Sequence, residues 1–153
     1  EDYQSILAQK PRDTTVLVGT YANLGDLYYQ RGEAKKAYQM YKKALKINPK
    51  ENGVLNNYAY FLSLEGKDLK KARQMSRITV ESEPDNPTYL DTYAWILHLM
   101  GDNTEAKALF KHAMLYGGKD NPEILRHYAE VLDALGEKDL ARIYFNQAKA
   151  AEL

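Results

Sequence analysis

Apolar residues recur along the chain at steps of three and four, which is the spacing of one face of an α-helix. Between positions 87 and 100, the apolar face consists of Leu90, Tyr93, Ala94, Leu97 and Met100. After the glycine at position 101, a second apolar face consists of Ala106, Leu109, Phe110 and Ala113. The pattern predicts two amphipathic helices joined by a short turn, and it predicts an all-α chain.

This two-helix pattern recurs along the chain, divided by glycines at nearly constant spacing. The glycines are Gly32, Gly66, Gly101 and Gly136, which lie 34, 35 and 35 residues apart. Each is followed, after five or six residues, by an alanine: Ala37, Ala72, Ala106 and Ala141. A period of this length is typical of helical-hairpin repeats. A lone hairpin cannot bury its apolar face, so neighbouring hairpins are expected to stack.

Residues at the ends of the predicted helices support this division. Asn86-Pro87 and Asn121-Pro122 each place a capping residue before a proline at the first helical position. The turn glycines suit a left-handed cap at the end of the first helix. Three places depart from the repeat and predict looser packing or an altered turn. They are Ser76 in place of a large aromatic residue, an insertion near Asp68, and the turn at Gly117-Gly118.

The first repeat carries the most complete set of signature residues: Tyr21, Leu24, Gly25, Tyr28, Gly32, Ala37, Tyr41, Ala44 and Pro49. This set resembles the tetratricopeptide repeat (TPR) family, and the resemblance extends over about nine tenths of the chain. It implies an α-α superhelix, or solenoid, of stacked antiparallel hairpins. The expected domain is 18–153, a single solenoid with repeats at 18–51, 52–86, 87–121 and 122–153.

Two further parts of the sequence bear on this resemblance. Residues 1–17 do not complete a repeat, so they form either an N-terminal capping helix or the end of a truncated preceding repeat. The runs at 56–63 and 86–95 also resemble repeat proteins of bacteria, Bacteroides-like ones especially.

The resemblance also implies a binding surface, because the first helix of each repeat lines the concave groove in this family. Groove-facing positions recur at steps of four and three and stay clear of the apolar face. The candidate partner-binding residues are Asp26, Tyr29, Asn56, Tyr60, Asp91, Trp95, His98, Arg126 and Glu130. Tyr60 and Trp95 stand out, because large aromatics with a polar tip are common contact residues at interfaces. The alternative is that both rings merely pack between adjacent first helices.

These residues predict a non-catalytic protein–protein interaction scaffold that binds a peptide or protein segment in the groove. Some TPR domains grip a carboxylate with Lys and Asn on their first helices. The corresponding positions here hold no lysine, so that use is not expected. The alternative functions are a self-associating assembly module or a fragment of a longer TPR array. Self-association would use the last helix, whose apolar residues Leu140, Ile143 and Tyr144 have no following repeat to cover them.

Composition excludes several other classes of protein. Lys plus Arg and Asp plus Glu both number 21, so the formal net charge is zero. A general nucleic-acid binder needs a basic surface, so nucleic acid is not an expected partner. No run approaches the roughly 20 apolar residues of a membrane span. The compartment stays open, either cytoplasm or, if a signal segment was removed, the bacterial cell envelope or periplasm.

The residues that usually carry chemistry do not form a recognisable motif. The histidines His98, His112 and His127 have no metal-ligand spacing such as HExxH, and cysteine is absent. Gly117-Gly118-Lys119 lacks the glycine spacing of a phosphate-binding loop. We therefore expect no enzyme activity, no cofactor and no metal ion.

Overall fold

A computed structural model describes Tyr3 and residues 13–153 of the chain. Most of the segment expected to form a cap or a truncated repeat, 1–17, lies outside the described residues. In the described part, eight α-helices and one short 3₁₀ helix occur and no strand is present, which confirms the predicted all-α fold. The helices are α1 (Thr14–Gln30), α2 (Ala34–Ile47), α3 (Asn52–Glu65), α4 (Leu69–Ser82), α5 (Pro87–Leu99), α6 (Asn103–Leu115), α7 (Pro122–Ala134) and α8 (Lys138–Ala151). The 3₁₀ helix is Gly118–Asp120.

The helices belong to two compact units, 1–58 and 59–153, so the division falls inside α3. Helices α1 and α2 pack together in the first unit. In the second unit α5 packs on α6 and α7 packs on α8, and α5 also contacts α7. The assignment of 18–153 to one solenoid of four repeats stays a prediction. Among the described residues, no helix has both the length and the apolar character needed to cross a bilayer.

The turn after each first helix has the same backbone structure in all four hairpins. Gly32, Gly66, Gly101 and Gly136 all have positive φ, between 66° and 90°. Around each glycine, the amide of the next residue donates to a carbonyl five residues earlier, as in Glu33 N to Tyr28 O at 2.9 Å. This arrangement is the Schellman cap, and only glycine adopts its left-handed position without steric cost. The left-handed turns that the glycine spacing predicts are therefore confirmed.

The predicted Asn-Pro starts of α5 and α7 are also confirmed. The Asn86 side chain accepts hydrogen bonds from the amides of Thr88 at 3.0 Å and Tyr89 at 3.2 Å. The Asn121 side chain accepts from the amides two and three residues later, at 2.9 and 3.3 Å. Each asparagine thereby satisfies two amides that have no partner inside the helix.

In the first unit, the close approach of α1 and α2 depends on Gly25. A Cβ atom built on Gly25 would lie 2.4 Å from the ring of Tyr41, which is fully buried. The aromatic ring therefore occupies the space that any larger side chain at position 25 would need. Ala37 and Ala44 are fully buried on the same helix as Tyr41 and complete this contact face.

The core of the second unit follows the same principle with alanine and phenylalanine. Ala94 on α5 and Phe110 on α6 are fully buried in one cluster. That cluster continues into the next hairpin through Ile124, Tyr128 and Leu132 of α7. The predicted stacking of the third and fourth hairpins is therefore seen directly in shared buried side chains.

Two of the three departures from the repeat are accommodated by the local backbone, and the third, Ser76, leaves a buried polar group. Asp68 takes a left-handed conformation with φ 46°, which accommodates the insertion before α4. Ser76 is fully buried, and its hydroxyl has no hydrogen-bond partner. Gly117 has φ 105°, and a Cβ on Gly118 would lie 2.7 Å from the carbonyl oxygen of Ala113. Both glycines are therefore required by the backbone of this turn.

Candidate functional site

The candidate residues of the second unit lie on its first helices. Tyr60 belongs to α3, and Asp91, Trp95 and His98 follow one face of α5 at steps of four and three. Arg126 and Glu130 lie on α7 and are exposed. Arg126 forms an exposed ion pair with Glu152, which directly follows the last helix. The structure brings three of the predicted residues, Tyr60, Asp91 and Trp95, into one side-chain cluster. Two residues of α7 that were not predicted, His127 and Glu123, connect them.

His127 is the first of these two residues, and it lies at the centre of the cluster. The Trp95 ring stacks on the His127 ring with centroids 4.2 Å apart and an angle of 22° between the planes. The Trp95 ring also lies 4.9 Å from the ring of His98. The indole is half-buried, so one part of it is held in place by imidazole while another part faces solvent. Such a ring is both rigid and accessible.

Asp91 contacts His127 of this stack and is only 6% exposed. Its carboxylate accepts a hydrogen bond from His127 Nδ1 at 2.7 Å. Burial raises the pKa of the Asp91 carboxyl, and the charge of Glu123 adds to the increase. The hydrogen bond and charge of His127 oppose this increase in pKa without removing it. Asp91 was expected to stay clear of the core, yet it is a buried polar group paired with a histidine.

Glu123 is the second residue of α7 that joins the cluster. The Tyr60 hydroxyl donates to Glu123 Oε1 at 2.5 Å. Glu123 and His127 are four residues apart on one helix, so their side chains share a face. Asp91 and Glu123 each offer a carboxylate oxygen, and His127 offers a ring nitrogen. These three atoms all lie within 4.8 Å of one another. We name these five residues, Tyr60, Asp91, Trp95, Glu123 and His127, the Trp95 cluster.

The remaining predicted residue of α5, His98, has a local partner. Its Nδ1 atom donates to the Asn103 side-chain oxygen at 2.5 Å, across the turn between α5 and α6. This bond fixes the imidazole beside Trp95. His98 therefore helps to shape the edge of the Trp95 cluster.

The first unit contains a separate pocket. It has a volume of about 550 Å³ and is lined by residues of α1, α2, α3 and the segment between α2 and α3. Asp26 lines it and accepts hydrogen bonds from the Tyr41 hydroxyl and, at 3.2 Å, from Asn57 Nδ2. Burial and the bond to Asp26 raise the pKa of Tyr41 well above its usual range.

Two more predicted residues lie in the first unit. Asn56 is only 6% exposed, whereas Asn57, the next residue, lines the pocket. Tyr29 is half-buried, with its ring centroid 6.4 Å from that of Tyr38. Of the residues predicted in this unit, Asp26 lines the pocket, whereas Asn56 and Tyr29 do not.

The last helix offers less apolar surface than the sequence suggested. Leu140 and Tyr144 pack against the buried cluster of the second unit, and Ala148 is buried. Ile143 is 51% exposed. Most of the apolar residues expected at this edge are therefore used inside the chain.

Comparison with known proteins decides the family. The tetratricopeptide repeat family model matches residues 19–152. The chain belongs to the tetratricopeptide repeat family. No curated protein matches the sequence significantly.

Solved structures agree with this TPR assignment. BtubC from P. vanneervenii superimposes with a TM-score of 0.82 at 20% identity, covering 98% of this chain and 70% of that one. MamA of MSR-1 gives 0.71 at 18% identity, covering 98% and 87%. YrrB, a TPR protein with an unusual peptide-binding site, gives 0.75 at 16% identity, covering 99% and 75%. At these identities the similarity establishes the fold, which is the TPR-type α-α solenoid.

Family and fold together support a protein–protein interaction module. TPR repeats typically act as non-catalytic modules of this kind, with proteins as their partners. The prediction of a TPR interaction protein from residue spacing is confirmed at this level.

Proposed function

We propose that this TPR chain binds a peptide segment of a partner protein on the surface of the Trp95 cluster. The observation that carries the proposal is the Trp95 indole, which is half-buried, stacked on His127 and open to solvent on a first helix. An aromatic ring that is already immobilised loses little conformational entropy when a partner binds. Tryptophan is also among the residues that contribute most binding energy at interfaces.

Polar groups around the indole supply directional contacts. Glu123 and His98 lie beside the aromatic rings, and Arg126 and Glu130 are exposed further along the same unit. A peptide with an apolar side chain over Trp95 and polar groups on either side matches this arrangement. YrrB, which shares the fold, is described as having a peptide-binding site, and this supports the proposal by analogy.

The experiment selects peptides from a random display library on the purified chain and measures their affinity by calorimetry and by Trp95 fluorescence. Trp95 is the sole tryptophan, so its emission reports on this surface alone. We expect Trp95→Ala to weaken binding at least about tenfold, as for a residue central to an interface. Far-UV circular dichroism and thermal unfolding establish that the variant is folded.

Tyr116→Ala is the matched control. Tyr116 is also an exposed aromatic of this unit, and its ring lies against His112 rather than the Trp95 cluster. Its replacement should leave the affinity unchanged. If Trp95→Ala binds the selected peptides as tightly as the wild type, or if Tyr116→Ala loses as much affinity, the proposed surface is wrong.

A further inference from the structure

The Trp95 cluster contains two carboxylates and one imidazole, which are side chains of the kind that bind metal ions. Asp91 comes from α5, and Glu123 and His127 come from one face of α7. Their three potential ligand atoms all lie within 4.8 Å of one another. We propose that Asp91, Glu123 and His127 bind one divalent first-row transition-metal ion, with Zn²⁺ as the representative ligand.

The donor atoms are of the type that such an ion prefers. Imidazole nitrogen together with carboxylate oxygen suits Zn²⁺, and three protein ligands leave a further position for water or another donor. These ligands lie about 2.0–2.2 Å from Zn²⁺ in a tetrahedral arrangement, so two of them are about 3.3–3.6 Å apart. The three ligand atoms now lie within 4.8 Å of one another, and rotation of their side chains brings them to this spacing.

The charges in the cluster also favour a cation. Two carboxylates lie close together, and that of Asp91 is buried, where an unpaired negative charge is costly. His127 is the only nitrogen ligand among the three, and its side chain is 12% exposed. A divalent ion would compensate both carboxylates at once, whereas the hydrogen bond from His127 reaches Asp91 alone.

Two neighbouring side chains orient the proposed ligands. The Tyr60 hydroxyl donates to Glu123 Oε1, which restricts rotation of that carboxylate. The Trp95 ring stacks on His127 and fixes the plane of its imidazole. Partners of this kind are typical of metal sites, where they hold the ligands in place before the ion binds.

A second histidine–aspartate pair in the chain provides an internal comparison. His112 Nε2 lies 2.8 Å from Asp85 Oδ1, much as His127 lies from Asp91. Both side chains of this pair are substantially exposed, and the pair does not belong to a three-ligand group among the described residues. The His112 pair should therefore bind metal only weakly.

The test is titration of the chain, prepared without a histidine tag, with Zn²⁺ by calorimetry. The chain has no cysteine, so thiolates cannot contribute to binding. We expect one ion per chain with a dissociation constant in the micromolar range or tighter. Co²⁺ should quench Trp95 fluorescence saturably, because the ion would bind the imidazole on which the indole stacks.

Substitutions assign the ligands. Asp91→Asn, Glu123→Gln and His127→Gln should each weaken Zn²⁺ binding about 100-fold, and Tyr60→Phe should weaken it about tenfold. Glu123 is partly exposed, so Glu123→Gln keeps the test valid if the buried substitutions unfold the chain. His112→Ala should bind as the wild type does. The proposal fails if the wild type shows no saturable binding, or if Glu123→Gln weakens binding no more than His112→Ala. Because the titration uses metal alone, its failure would leave the peptide proposal standing.

Discussion

The first and third hairpins carry different residues at equivalent positions of the repeat, and these residues make different contacts. Tyr41 of the first hairpin corresponds to Phe110 of the third, and both rings are fully buried. Asp26 corresponds to Trp95 among the residues predicted to face the groove. In the first hairpin the hydroxyl of the buried tyrosine donates to Asp26, whereas Phe110 has no hydroxyl and Trp95 instead stacks on the next hairpin.

This difference teaches that a position predicted to face the groove is not automatically available to a partner. A buried hydroxyl needs an acceptor, and Asp26 supplies it, so part of that carboxylate serves the core. The third hairpin has no such requirement at position 95, and Trp95 is partly exposed, as Asp26 is. The comparison explains why Trp95, rather than Asp26, is the centre of the proposed binding surface.

The largest expected effect is at the close contact of the first hairpin. Gly25→Ala places a methyl group closer to the buried Tyr41 ring than van der Waals contact allows, so the ring must shift. We expect a loss of about 3 kcal/mol in the free energy of unfolding, measured by urea denaturation.

Gly19→Ala on the same helix is the control. A Cβ at Gly19 meets no described atom within 4 Å, and alanine is a better helix former than glycine. This change should be neutral or stabilise the chain by up to about 1 kcal/mol. Equal effects of the two substitutions would show that the Gly25–Tyr41 contact is not tight.

The next effect concerns the Tyr41–Asp26 hydrogen bond. Asp26→Ala leaves the buried hydroxyl of Tyr41 without this acceptor, and we expect it to cost about 2 kcal/mol. In a Tyr41→Phe background, the same substitution should cost at least about 1 kcal/mol less. Additive losses in the double-mutant cycle, measured by urea unfolding, would show that the bond does not contribute to stability.

Phe110→Tyr provides the reciprocal control in the third hairpin. It introduces a buried hydroxyl where position 95 is tryptophan rather than aspartate, and should destabilise by about 1–2 kcal/mol. Stabilisation by this change would contradict our account of why the two hairpins differ.

The last prediction concerns how stability depends on alkaline pH. Burial raises the pKa of Tyr128 from 10.0 to about 12, and it also raises the pKa of Tyr41. When the folded pKa exceeds the unfolded one, the stabilisation is complete below the unfolded pKa and is lost as pH rises. Stability should therefore fall from pH 10 upwards.

Tyr41→Phe separates the contribution of the first hairpin, which contains Tyr41, from that of the fourth, which contains Tyr128. The substitution removes one of the titrating hydroxyls, so the decline in unfolding free energy between pH 10 and pH 12 should be shallower. Denaturant unfolding at a series of pH values measures the slope. An unchanged slope would show that Tyr41 does not account for any of the alkaline loss.

The sequence by itself determined the helices, their ends and the family. Glycines at a period of 34 or 35 residues predict the left-handed turns, and Asn-Pro pairs predict the starts of α5 and α7. These features depend on hydrogen bonds between residues two to five positions apart, so they are visible in a single repeat. The spacing of the apolar residues additionally predicts that neighbouring helices pack against each other.

Only the tertiary structure decided which side chains meet. Asn57 rather than Asn56 reaches the pocket, and His127, which lies next to the predicted Arg126, joins Asp91. A shift of one residue turns a side chain by about 100° around a helix. The rotation of each helix about its axis is set by packing of the whole buried face. The Trp95 cluster, with its close Asp91, Glu123 and His127, therefore follows from the contact of α5 with α7, which no local pattern contains.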